Sequence, residues 1–211
     1  MTNQSVGRPF FSSQTLRTST RQMHYIDVPI YHHRLPHIYE LEQPVFLTWR
    51  LHDCLPRNRH FNGAGTMASG EAFAAMDHLL DEARTGPFFL RQPEIAGMFM
   101  EALHYGSQHL ERYDVHSFAV MPNHVHLLIT PHVELPKIAR TIKTFTARQA
   151  NLLLNLTGKP FWQEESYDRL VRNTIEFNRI RNYIEENPVR AGLVKERSAY
   201  RWSSAWRESG P

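Results

Sequence analysis

Two runs of strand-forming residues, Val115 to Met121 and His124 to Thr130, are separated only by Pro122-Asn123, and Pro131 bounds the second. So short a break between β-branched and aromatic runs predicts an antiparallel hairpin. Further elements are expected on either side. Pro44-Val-Phe-Leu-Thr-Trp-Arg-Leu51 reads as a first strand, and Asp53 to Met67, with Pro56, Gly63 and Gly65, as a loop. Ser69 can cap a helix carrying Phe73, Met76, Leu80 and Ala83 on one face, ended by Gly86-Pro87. Pro93 opens another helix, with Ile95, Met98, Phe99, Ala102 and Leu103 inward.

After the hairpin, a long amphipathic helix is expected from about Leu135 to Leu156, with Leu135, Ile138, Ile142, Phe145, Leu152 and Leu156 on its apolar side and Gly158-Lys159-Pro160 as its stop. A fourth strand is expected around Tyr167 to Val171. Asn173-Thr-Ile-Glu176 resembles a capping box, and the helix it starts carries Ile175, Ile180, Tyr183 and Ile184. That helix should end near Asn187, because Pro188 disfavours a helical residue before it. Hairpin-paired strands with helices between them indicate an α+β layer structure, and a ferredoxin-like antiparallel sheet with helices packed on it is one natural closure of that order.

At 211 residues the chain suits one domain with extensions, and 41% hydrophobic residues are enough for a core. Residues 1–24, rich in Ser, Thr, Gln and Arg, read as a flexible arm, and residues 207–211 as a tail. No apolar run has membrane-spanning length and no signal peptide is apparent. A single cysteine, Cys54, excludes an internal disulfide and any multi-cysteine zinc site, so a cytoplasmic location is expected. The formal net charge of +3 permits nucleic-acid binding without demanding it.

Chemistry concentrates in two places. In the strand His124-Val125-His126, side chains alternate with a period of two, so both imidazoles leave one face while Val125, Leu127 and Ile129 leave the other. Two such imidazoles can share a metal ion, with a third ligand supplied from elsewhere. The same spacing also fits two half-buried histidines bonded to backbone. Tyr183 and Asn187, four apart, stack on one helix face. A phenol beside a metal can act as nucleophile, and an amide oxygen can complete a metal shell. A core tyrosine and a helix stop are the other reading of that pair.

Taken together, these segments resemble a known family. Met121-Pro-Asn-His-Val-His-Leu-Leu128 is similar to the histidine-hydrophobic-histidine motif of the HUH single-strand transposases. Tyr183-Ile-Glu-Glu-Asn-Pro-Val-Arg-Ala-Gly-Leu-Val194 is similar to their tyrosine helix, nearest to the REP-associated tyrosine transposase branch. Supporting matches include Lys143 to Asn151, Phe161-Trp-Gln-Glu164 and Trp202-Ser-Ser-Ala205, so that the resemblance spans residues 34–206.

The resemblance implies one catalytic domain over residues 25–206, with 53–67 as a loop insertion. It implies His124 and His126 as metal ligands, Tyr183 as nucleophile, and Asn187 as a third ligand, where relatives use another residue type. The metal would be Mg²⁺ or Mn²⁺, with no nucleotide cofactor. The expected activity is nicking and strand transfer of single-stranded or hairpin DNA through a 5′-phosphotyrosine, by a monomer or homodimer associated with the nucleoid. Lys143, Arg148 and Arg172 are candidates for backbone phosphate contacts. Two competing readings are a DNA-hairpin-binding protein that does not cut, and a metal nuclease that uses water.

Overall fold

The computed structural model describes residues 41–55, 77–82, 86–164 and 166–208. The expected arm at 1–24, most of the 53–67 loop, the Ser69-capped helix start and the last three residues lie outside the described residues. The elements are β1 (Val45–Arg50), α1 (Pro93–Gln108), β2 (Tyr113–Val120), β3 (His124–Pro131), α2 (Leu135–Leu153), β4 (Tyr167–Leu170) and α3 (Thr174–Arg190). A helical stretch at 77–81 precedes α1.

The strands form one antiparallel sheet in the order β2-β3-β1-β4. β2 and β3 make the expected hairpin, closed by Met121 N–H donating to His124 O at 2.9 Å. The connection through α1 carries the chain from β1 past β3 to β2, and that through α2 carries it from β3 past β1 to β4. This is the ferredoxin-like arrangement. It leaves β3 and β1 in the middle of the sheet, in register at Thr48–His126 and Arg50–His124. The outer edge of β2 is covered by the C-terminal segment. Val120 N–H donates to Trp202 O at 2.8 Å and Ser204 N–H to Phe118 O at 3.0 Å, which closes that edge over residues 118–120.

Both faces of the sheet are covered. Val45, Leu47, Trp49, Val125, Leu127 and Ile129 pack against α1 and α2 in the larger core. Phe46, Ala119, Met121 and Leu128 pack against Ile180 and Ile184 of α3. The histidines alternate with the first set, so they share the face that α3 covers.

Three expectations about helices are corrected. α2 ends at Leu153, earlier than expected, because Asn155 takes a left-handed conformation (φ 56°). Leu156 N–H then donates to Asn151 O at 2.8 Å and Asn155 N–H to Leu152 O at 3.3 Å, the pattern of a Schellman stop. Phe145 and Leu152 lie outside the core, 48% and 54% exposed. The inward stripe instead runs through Thr146 and Ala150, because Thr146 Oγ1 accepts from the buried Trp162 Nε1 at 2.9 Å while donating to Ile142 O. Ile175, in the first turn of α3, is also exposed.

The third correction concerns the end of α3. The helix runs through Pro188 to Arg190. A proline so near a helix end forfeits only one intrahelical bond, and Ala191 N–H still reaches Asn187 O at 2.9 Å. The start is as expected, with Asn173 Oδ1 accepting from Glu176 N–H at 2.9 Å.

Gly106 of α1 lies against the buried Tyr113, whose hydroxyl donates to Leu103 O at 2.8 Å; a Cβ at 106 would meet Tyr113 Cζ at 2.8 Å. Gly106→Ala should therefore destabilise the fold by ~1–3 kcal/mol, although alanine is the better helix former. Urea unfolding measures this, and an unchanged or higher midpoint would contradict the packing.

Candidate active site

Four elements converge on the β3 histidines. The imidazoles of His124 and His126 are fully buried, with their Nε2 atoms 3.1 Å apart. Each ring is held from behind. His124 Nδ1 faces Asn123 Oδ1 at 2.7 Å, and the orientation of that amide follows from its nitrogen donating to Leu80 O at 2.9 Å. An amide oxygen only accepts, so the proton of a neutral His124 belongs on Nδ1, leaving the Nε2 lone pair toward the site. His126 Nδ1 faces Thr48 Oγ1 at 2.8 Å, across the β1–β3 register. Burial, followed by the nearby His126, lowers the His124 pKa to about 3, so the ring is neutral near pH 7.

The helical stretch at 77–81 brings in two carboxylates, Asp77 and Asp81, one turn apart. Asp77 Oδ1 lies 3.0 Å from His126 Nε2 and 3.6 Å from His124 Nε2. Its other oxygen, Oδ2, accepts hydrogen bonds from the Tyr183 hydroxyl and from Asn187 Nδ2, the latter at 3.2 Å. Burial pushes the Asp77 carboxyl up, but His126, His124 and Arg190 outweigh it and bring it down to about 2, so it is ionised. Asp81 Oδ1 lies 3.9 Å from His124 Nε2; burial and the charge of Asp77 raise it to about 7.

Tyr183 projects from the middle of α3. Its ring is 5.8 Å from that of His126, with Phe46 forming an apolar wall 5.7 Å from His126 and 6.2 Å from Tyr183. The structure thus brings His124, His126, Tyr183 and Asn187 into one cluster within a single chain. Asn187 is fully buried, with an amide oxygen that has no hydrogen-bond partner.

Asp77 was missed by the sequence reading, although a signal for it existed. It lies four residues after Phe73 and three before Leu80, and so places a carboxylate on the apolar stripe of its helix.

The donors fit a divalent cation. Asn187 Oδ1 is buried without a hydrogen-bond partner among the described residues, and Asp77, His124 and His126 each offer a ligand atom within 4.8 Å of the others. A buried polar atom left in that state is costly unless something fills the site. Two imidazoles with a carboxylate suit Mn²⁺ better than Mg²⁺, which prefers oxygen ligands.

The three basic candidates lie apart from this cluster. Lys143 and Arg148 are on α2, across the sheet from the histidines. Lys143 Nζ donates to Gln163 O at 2.7 Å and Glu164 O at 3.1 Å, and burial lowers its pKa to about 8. Arg148 is exposed. Arg172 is exposed just before α3, about 16 Å along the helix axis from Tyr183 at 1.5 Å per residue.

The antiparallel α+β sheet thus presents two histidines to a tyrosine-bearing helix. Residues 93–187, which include both histidines and Tyr183, match the family described as transposase IS200-like. The structure of a REP-associated tyrosine transposase bound to a REP hairpin shares the fold, with 22% identity and a TM-score of 0.52 over 79% of this chain and 78% of that one. A crystal structure of a Deinococcus radiodurans protein assigned as a transposase aligns at 17% identity over 71% of this chain and 93% of that one, and its TM-score of 0.39 carries no weight. No curated protein matches the chain.

The geometry predicts the hierarchy of metal binding. Asp77→Asn and His126→Ala should each weaken Mn²⁺ affinity by at least ~10-fold, and Thr48→Val, acting through His126, by ~10-fold. Mn²⁺ at 100 times its dissociation constant should stabilise the parent chain by ~2.7 kcal/mol, a gain that EDTA removes. Titration calorimetry and thermal unfolding measure both quantities, and full Mn²⁺ affinity in Asp77→Asn would exclude the carboxylate from the site.

Proposed function

We propose that this chain cuts and rejoins single-stranded DNA through a covalent bond to Tyr183, as a transposase of the REP-associated branch. One observation carries the reading: a single buried carboxylate, Asp77, accepts the Tyr183 hydroxyl on one oxygen and faces both histidines with the other. The nucleophile and the candidate metal ligands are therefore held together by one side chain.

In the proposed reaction, Tyr183 Oη attacks the scissile phosphorus and the bond from phosphorus to O3′ breaks. The phenol proton leaves toward Asp77 Oδ2, and the departing O3′ takes up one proton from solvent, which Asp77 returns as it ionises again, so that protons balance over the step. The products are a 5′-phosphotyrosine and a free 3′-hydroxyl. A second 3′-hydroxyl can reverse the attack and join a new strand, because the covalent link conserves the phosphodiester. A divalent cation held by His124, His126 and Asp77, with the Asn187 oxygen as a further donor, would supply positive charge against the phosphate oxygens. Mn²⁺ is the ion the donor set favours, with Mg²⁺ as the weaker alternative. Phe46 and α3 cover the site and limit the water that could compete with Tyr183.

The substrate proposed is single-stranded DNA carrying a short hairpin. The fold shared with a protein bound to a REP hairpin supports this choice. One copy of the chain assembles the cluster, so a monomer suffices for cutting. We assign the chemistry to one catalytic domain over 25–206 in the cytoplasm, at the nucleoid. No helix among the described residues is long and apolar enough to cross a membrane.

The test is covalent capture. A single-stranded oligonucleotide library, with a hairpin beside a randomised segment, is incubated with the full chain and Mn²⁺, and complexes surviving denaturation are sequenced. The parent protein should form such adducts, and Tyr183→Phe should lose at least ~10³-fold of them. Hairpin binding without adducts would favour a non-cutting binder, and equal cleavage by Tyr183→Phe would favour attack by water.

A further inference from the structure

We propose that Arg190 is a catalytic residue whose guanidinium grips the phosphate that Tyr183 attacks. The inference rests on the cleavage reading above and adds a residue to it. Arg190 is seven positions after Tyr183, two turns along the same helical face. It reaches that place only because α3 continues through Pro188. Its Cζ lies 4.5 Å over the Tyr183 ring, and a guanidinium nitrogen is 3.9 Å from Asp77 Oδ2, the oxygen that accepts the Tyr183 hydroxyl.

Neutralising Asp77 does not exhaust this side chain. At 3.9 Å the ion pair is too long for a hydrogen bond, and no described residue accepts one from the guanidinium. Asp77 is fully buried, whereas the Arg190 side chain is 43% exposed. The guanidinium therefore stands at the mouth of the site, with donors that no described residue takes up, 3.9 Å from the carboxylate oxygen that accepts the phenol. A forked donor set there matches the two nonbridging oxygens of a phosphodiester. As the bond from Tyr183 Oη to phosphorus forms and the bond to O3′ breaks, charge accumulates on those oxygens, and a fixed cation at that point lowers the barrier. Arg148 and Arg172 have no such relation to Tyr183.

The test uses the full chain, Mn²⁺ and the oligonucleotide captured above, in two forms. One carries the natural phosphodiester at the mapped cleavage position. The other carries an uncharged methylphosphonate there. On the phosphodiester, Arg190→Gln should slow adduct formation about 100-fold while oligonucleotide binding changes less than about 5-fold, and Arg190→Lys should recover part of the rate. On the methylphosphonate the parent and Arg190→Gln should differ by less than about 5-fold, because the charge that Arg190 answers is gone.

Equal rates for parent and variant on the phosphodiester would overturn the assignment. So would an equal loss on both substrates, which marks a residue that only shapes the site. If the parent captures no oligonucleotide, the cleavage reading fails by itself, and calorimetric binding of inorganic phosphate to Tyr183→Phe with Mn²⁺ decides the role of Arg190. Weakening of about 10-fold or more in Tyr183→Phe/Arg190→Gln supports the anion site, and equal or unmeasurable phosphate binding overturns it.

Discussion

The carboxylate of Asp77 is a negative charge inside the protein, and the surrounding site is arranged around it. Burial alone would push such a group toward its neutral form. Two imidazoles, a phenol hydroxyl, an amide and a guanidinium approach it instead, and it stays ionised. Its two oxygens face different partners, the strand histidines on one side and the tyrosine helix on the other. A shift in the 77–81 stretch would therefore loosen both halves of the site together. Removing Asp77 would leave its buried neighbours without the charge that organises them, which is the costly way to break a buried ionic cluster.

The sheet makes that convergence possible. β3 and β1 occupy its middle, so the histidines lie on a strand paired on both sides, which cannot fray as an edge strand would. The alternation along β3 sends Val125, Leu127 and Ile129 into one core and sends His124, His126 and Leu128 under α3. The register with β1 then sets Thr48 directly behind His126. The hairpin turn supplies Asn123 behind His124 in the same way, so both rings are oriented by neighbours that the backbone pairing positions. The strong burial of the cluster leaves α3 as its lid, with Arg190 at the opening.

The strands and helices were largely legible because each depends on a short-range pattern. The hairpin, the four strands and the Asn173 cap occur within a few residues of where alternation and turn residues placed them. The failures came where a distant partner overrode a local preference. Thr146 turned inward because Trp162 needed an acceptor, and Phe145 was left outside as a consequence. Pro188 ended nothing, because its missing N–H falls where the helix was about to finish and its neighbours keep their bonds. Asp77 resembled one more helix carboxylate until the fold set it against two histidines.

Period-two spacing alone determined that His124 and His126 share a face, and period-3.6 spacing that Tyr183 and Asn187 share another, since both follow from backbone geometry within one element. The resemblance over residues 34–206 assigned those two faces to the same reaction. Only the tertiary structure decided that the faces meet, that Asp77 lies between them and that Arg190 stands over the tyrosine. Those contacts join residues distant in sequence, such as Asp77 and Asn187, 110 positions apart, and depend on strand order, register and helix packing, which no local pattern encodes.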